Sequence, residues 1–137
     1  MPKVTEVSAN EVIEKAAKRM EKMDEFRPPE WSIFAKTGSD RERPPEQENW
    51  WWLRTASILR KIYLNQSFGV SRLRKIYGSR KNNGHQPEHK GKASGAVIRK
   101  MLQQLEAAGF VKAEKGKGRK ITAKGSAFLK EAASTKA

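Results

Sequence analysis

SGAVIRKMLQQLEAAGFVKAEKGKGRKITAKGSAFL, from Ser94 to Leu129, reads as a helix, a hairpin and a second helix in fixed order. Val97, Ile98, Met101, Leu102, Leu105 and Ala108 recur at spacings of three and four, the apolar stripe of a helix over Ser94–Ala108. The outward face carries Ala96, Arg99, Lys100 and Gln103, and Lys92 joins it if the helix begins early. Gly109 is the natural C-terminal stop. Phe110–Glu114 and Arg119–Ile121 then flank Lys115-Gly-Lys-Gly118 as two strands around a basic turn. Thr122 caps a last helix with Phe128 and Leu129 inward. This order is the second half of a winged helix-turn-helix, a fold that usually docks on nucleic acid.

Upstream, the other parts of such a fold can be found. Ser71 is placed to cap a short helix through Leu73, Ile76 and Tyr77 that ends at Gly78, and Asn65–Val70 holds a turn with at most a short strand. Trp50–Leu64 is a longer helix. At 100° per residue, Trp51, Trp52, Ala56, Ile58, Leu59, Ile62 and Tyr63 share a broad inward arc. Arg54, Ser57 and Lys61 lie together on the other side, with Arg60 at the edge and Trp50 on the same face. Trp50 there either packs against the connector or first helix, or stacks on a nucleobase. At the N-terminus, Ser8 with Glu11 three residues on forms a capping box. Val12, Ile13, Ala16, Ala17, Met20 and Met23 follow on one face, and Pro28-Pro29 stops any continuation.

Charge is segregated along the chain. The net charge is +14 over 137 residues. Residues 1–50 hold 9 Lys/Arg against 11 Asp/Glu, a net of −2, and residues 51–137 hold 20 against 4, a net of +16. Between Arg72 and Lys124 there are 15 basic residues and 3 acidic ones, too few acids for a merely solvated face. Each cation that neutralises a phosphate releases a condensed counterion, so salt-dependent binding to a polyphosphate is the expected behaviour. The chain has no cysteine, which closes disulfide and thiolate chemistry, and no apolar run of membrane-spanning length. A soluble, intracellular domain follows from these features.

The segment Ser79–Gly91, SRKNNGHQPEHKG, is polar, basic and without periodicity. A duplex-reading helix-turn-helix joins its helices with about 3–4 residues. A long basic insertion at this point is better suited to irregular RNA. His85 and His89, with only Glu88 as a further candidate, are short of ligands for a metal site. There is no Ser/His/Asp set or phosphate-binding loop, so no enzyme, metal or cofactor is expected.

Several segments together resemble one family. PPEW (28–31), PEQENWWWLRTASILRKIYL (45–64), GVSRLRKIYGSRKNNGHQPEH (69–89), IRKMLQQLEAAGFV (98–111) and GKGRKITAKG (116–125) are similar, in that order, to the S19e family of small-subunit ribosomal proteins of archaea and eukaryotes. The short, unadorned termini look archaeal. The resemblance implies a winged-helix core with an added N-terminal helix, seated in the head of the small subunit against the 3′ domain of its rRNA. It also implies a part in subunit maturation. The family's sensitive positions fall here on Trp50, Arg54, Ser57 and Arg60, and on Arg99 and Lys100.

The expectation is therefore a mainly α fold, with a winged helix-turn-helix core, a small β-hairpin wing and an additional N-terminal helix. It is organised as one domain over 1–137: a helix over 8–24, a wrapping connector over 27–49, the core over 50–133 and a frayed tail over 134–137. RNA binding is assigned to Arg54, Ser57, Arg60 and Lys61; to Arg80, Lys81, Lys90, Lys92, Arg99 and Lys100; and to Lys117 and Arg119 at the wing, with Trp50 as a stacking candidate. The partners expected are small-subunit rRNA and neighbouring proteins of the subunit head in the cytoplasm, the free chain being a monomer. No membrane or small-molecule substrate is expected. The rivals are a winged-helix transcription regulator reading duplex DNA, and a protein-docking winged helix that uses the acidic N-terminal half.

Overall fold

The first helix starts where its capping chemistry places it. The Glu11 N–H donates to Ser8 Oγ at 3.3 Å, and α1 runs over Ala9–Glu21. Val12, Ala16, Ala17 and Met20 are buried, while Ile13 and Met23 pack at the edge of the core. A 3-10 turn, Asp24–Phe26, ends the segment and buries Phe26. The computed structural model describes residues 7–30, 49–65, 67–77, 80–83, 86–90, 95–114 and 118–134. The wrapping course expected for the connector, the stop assigned to Gly78, the helix start expected at Ser94 and the last three tail residues lie outside them.

The remaining elements are α2 (Trp50–Asn65), β1 (Ser67–Phe68), α3 (Val70–Tyr77), β2 (Arg80–Asn83), β3 (Gln86–Lys90), α4 (Gly95–Ala107), β4 (Val111–Glu114), β5 (Gly118–Ile121) and α5 (Ala123–Ser134). β1, β5 and β4 form an antiparallel sheet in that order, with Ser67 opposite Lys120 and Val111 opposite Ile121. The order α2–β1–α3–α4–β4–β5 is that of a winged helix, with α4 in the position of the recognition helix and β4–β5 as the wing. α1 packs on both α2 and α5, which adds a second helical layer behind α2.

One core serves all of this. Every inward position expected on α4 is buried, as are Trp51, Ala56, Ile58, Leu59 and Ile62 on α2. Trp52 and Tyr63, expected in the same arc, are half-buried at its margin. Phe26, Phe110 and Phe128 stack in a column, with centroid separations of 5.7 and 4.6 Å, tying the 3-10 turn to the wing root and α5.

The helix-to-wing corner is built from backbone groups. Gly109 has φ +82°, its N–H donates to the Glu106 carbonyl at 3.0 Å, and the Phe110 N–H donates to that of Leu105 at 2.9 Å. These are the two hydrogen bonds of a Schellman stop. Thr122 closes the wing from the other side. Its N–H donates to the Phe110 carbonyl at 3.0 Å and its hydroxyl to the Gly109 carbonyl at 2.6 Å, while its Oγ1 accepts the Gly125 N–H at 3.2 Å. α5 passes so close that a Cβ on Gly125 would overlap the Phe110 carbonyl oxygen.

Two readings need correction. The 79–91 insertion is not an irregular loop: β2 and β3 form an antiparallel hairpin with Arg80 opposite Lys90, Lys81 opposite His89, and a register shift before Asn83. A two-stranded ribbon outside the main sheet is held by its own backbone ladder. It has no obligatory apolar alternation, the signal by which strands are recognised. α3 begins at Val70, ahead of Ser71, because the Gly69 carbonyl already accepts the Leu73 N–H. Ile76 on α3 is 42% exposed, while Leu73 is fully buried.

Candidate nucleic-acid interface

The cations of α2 do not project freely into solvent. Arg54, Ser57, Arg60 and Lys61 are all half-buried, and the C-terminal end of α3 reaches across to Arg54, Ser57 and Lys61. Tyr77, the last residue of α3, is the centre of the arrangement. Its hydroxyl shares a 2.5 Å hydrogen bond with the Ser57 hydroxyl. The Arg54 guanidinium carbon lies 4.3 Å from the centroid of its ring, and Lys61 Nζ lies 5.5 Å from it. A cation over an aromatic face is held by the ring quadrupole, with greater strength where water is excluded. Burial pushes the Tyr77 hydroxyl up to about 12, against smaller opposing pulls from the Ser57 hydrogen bond and the Arg54 charge. The phenol is therefore neutral at neutral pH and adds no anion to the cluster.

Arg60 borders the same face. Among the described residues its buried Nε meets no hydrogen-bond partner, and a buried donor without an acceptor is costly. Trp50 meets Trp51 edge-on, with centroids 5.4 Å apart and planes at 74°, and packs against the core, so packing accounts for part of its surface.

The second cluster is more dispersed. On α4 Arg99 and Gln103 are exposed, and Lys100 is half-buried. Lys100, Gln103 and Ala107 form one wall of a groove whose other wall holds Asp24, Glu25, Pro28 and Glu30. An acidic, proline-bearing segment thus lies beside the position of the recognition helix, where a duplex would have to approach. Arg80, Lys81 and Lys90 lie on the β2–β3 hairpin. Lys92, Lys117 and His85 are outside the described residues.

At the wing, Arg119 turns back to α4. Its side chain is 20% exposed and its Nε is 3.9 Å from Glu106. Lys112 and Lys120, opposite one another in the β4–β5 register, are exposed on the wing. Among the described residues no group of His, Asp and Glu is arranged to hold a metal, and no helix is long and apolar enough to cross a membrane.

Two structural residues escaped sequence reasoning. In the sequence Tyr77 reads only as a residue of a short helix, and no signal joins it to Arg54 across 22 intervening positions. Gln104 is 6% exposed on the inward side of α4. Its Oε1 accepts from Trp51 Nε1 at 2.8 Å and its Nε2 donates to the Arg27 carbonyl at 2.7 Å. The available signal was its wheel position, beside the apolar stripe, next to Met101 and Ala108.

The comparisons agree with this architecture. The family model described as Ribosomal protein S19e matches residues 3–137. The chain is 47% identical over 131 residues to the small ribosomal subunit protein eS19 of the archaeon Aeropyrum pernix, covering 94% of this chain and 86% of that protein. It is 40% identical over 137 residues to the eS19 protein of Haloarcula marismortui, covering 97% and 90%. With the eS19 protein of Oryza sativa subsp. japonica it shares 38% over 130 residues, covering 95% and 89%. A winged-helix core with an added N-terminal helix, matched over nearly its whole length by these proteins, belongs to the ribosomal protein S19e family.

Proposed function

We propose that the chain is a structural, non-enzymatic constituent of the small ribosomal subunit that holds rRNA through basic surfaces. The observation that carries this reading is its near full-length collinearity with small-subunit proteins eS19. The first surface is the α2 face with Arg54, Ser57, Arg60 and Lys61, and Trp50 at its start. The second comprises Arg99 and Lys100 on α4 with Arg80, Lys81, Lys90 and Lys92 of the insertion. The wing cations Lys117 and Arg119 join as auxiliary contacts. Phosphate contacts supply most of the affinity, and few contacts read bases.

The site in this reading is the subunit head, on the 3′ domain of the rRNA and beside other head proteins, with a role in subunit assembly as well as in translation. The protein is cytoplasmic, and monomeric when free. Reading of duplex DNA by α4 is disfavoured on physical grounds. The acidic segment Asp24–Glu30 borders one side of that helix, and a hairpin replaces the tight turn before it.

The test is sedimentation of the tagged protein from a native lysate through a sucrose gradient at low and high salt. Migration with the small subunit, released only at high salt, is expected. Recovery at the top of the gradient in low salt refutes the proposal.

A further inference from the structure

The α2 surface is built on an aromatic residue from a different helix. Arg54 and Lys61 are two turns apart on α2, and both lie over the ring of Tyr77 from α3, at 4.3 and 5.5 Å. Ser57, between them in sequence, is fixed to the same residue through its hydroxyl. A long cationic side chain ordinarily loses rotamer freedom when it engages a phosphate, which weakens binding. Here two cations are held over one ring, and the polar group between them is oriented by the same phenol. The neutral ring also satisfies no phosphate-binding capacity as a carboxylate would, so the positive field of the face is preserved.

We propose that Tyr77 is a positioning residue for rRNA binding: anchored to Ser57 through its hydroxyl, it holds Arg54 and Lys61 in a fixed array before RNA arrives. This rests on the proposed RNA-binding role of the α2 face. Tyr77 itself touches no RNA in this scheme and acts through the two cations.

The experiment is a double-mutant cycle. Binding to a transcript of the 3′ domain of small-subunit rRNA is measured over a salt series for the full chain. The variants are Tyr77→Leu, Arg54→Gln with Lys61→Gln, and all three substitutions together. Tyr77→Leu is expected to weaken binding about ten-fold, as for two side chains that lose their pre-ordering. In the Arg54→Gln, Lys61→Gln background the same substitution is expected to change nothing. An equal loss in both backgrounds, an unchanged affinity, or tighter binding by Tyr77→Leu overturns the proposal. A merely structural tyrosine would weaken both backgrounds alike.

Should Tyr77→Leu not fold, Tyr77→Phe and its 3,4,5-trifluoro analogue replace it. They keep the ring shape while the fluorines deplete its negative face. Affinity is expected to drop from the first to the second, and equal affinities overturn the proposal. If the unaltered protein shows no salt-dependent affinity for the transcript, the RNA reading itself fails, and the positioning role falls with it. If it binds but the cycle shows no coupling, the role of Tyr77 alone fails.

Discussion

Replacing Gln104 by leucine tests whether one buried amide couples α2, α4 and the N-terminal segment. Gln104 accepts from Trp51 Nε1 and donates to the Arg27 carbonyl, and it is 6% exposed. Leucine matches its length approximately but offers neither function. Trp51, 1% exposed, then has a donor with no acceptor and no access to water. A buried group left in that condition costs about 1–3 kcal/mol. The Arg27 carbonyl borders the groove beside α4 and can be rehydrated from there, so its share falls at the low end of that range. Apolar burial of the leucine returns roughly 1 kcal/mol. The net expectation is a loss of about 1–3 kcal/mol, seen as a lower urea midpoint at an unchanged slope by far-UV circular dichroism.

Gln104→Glu separates the two bonds. A protonated glutamic acid can still accept from Trp51 and donate to Arg27, whereas the carboxylate presents a charge to a carbonyl oxygen in a buried place. Burial raises the folded carboxyl above its unfolded value, so stability is kept at low pH and lost as pH rises through the folded value. The glutamate variant is expected to be closer to the parent at pH 5 than at pH 8. A leucine variant within about 0.5 kcal/mol of the parent, inside ordinary surface-mutation scatter, would refute the network.

Gly125→Ala forces α5 away from the Phe110 carbonyl and is expected to cost about 1–3 kcal/mol in thermal unfolding; an unchanged melting temperature would contradict that close approach. Arg99→Glu with Lys100→Glu should weaken binding to the 3′-domain transcript with the helical circular-dichroism signal intact, since Arg99 is exposed and Lys100 half-buried at a groove. Loss of that signal would mean the outward phase is wrong. In a Tyr63→Phe background Tyr77 is the sole tyrosine of the two in the chain. Its phenolate absorbance should be absent from the native protein at pH 10.5 and develop near 12. Its raised value stabilises the fold below pH 10 and ceases to do so as pH climbs from about 10 to 12. Ionisation of the native protein at pH 10 would refute the burial of its hydroxyl.

Periodicity made α1, α2, α4 and α5 legible, because each buries one stripe in a shared core. The Gly109 stop and the Thr122 cap were equally readable, since their chemistry is local. Burial set by distant neighbours was not. The tetrapeptide Arg-Lys-Ile-Tyr occurs at 60–63 and at 74–77, yet Ile62 is fully buried and Ile76 is 42% exposed. The four residues themselves do not distinguish them; the elements packed around α2, α1 foremost, do. The candidate site was legible as a set of cations on one face of α2, from the angle between Arg54, Ser57 and Lys61. Their partner Tyr77 was not, because the contact joins two helices whose relative placement only the folded core fixes. The β2–β3 hairpin is not legible for a related reason. Its pairing is backbone to backbone and left no alternating pattern in the residues.

The corner formed by Gly109, Phe110 and Thr122 has a practical consequence. Both ends of the wing are clamped by main-chain hydrogen bonds and by the passage of α5 over Phe110, so the geometry of its root does not depend on residues 115–117 at its tip. Lengthening a loop whose ends are already fixed costs only about 0.6 kcal/mol per doubling. The tip is thus a graft site. A reporter peptide, a cross-linking residue or a tip of different charge can be exchanged there as a module, with the helices beneath left in place.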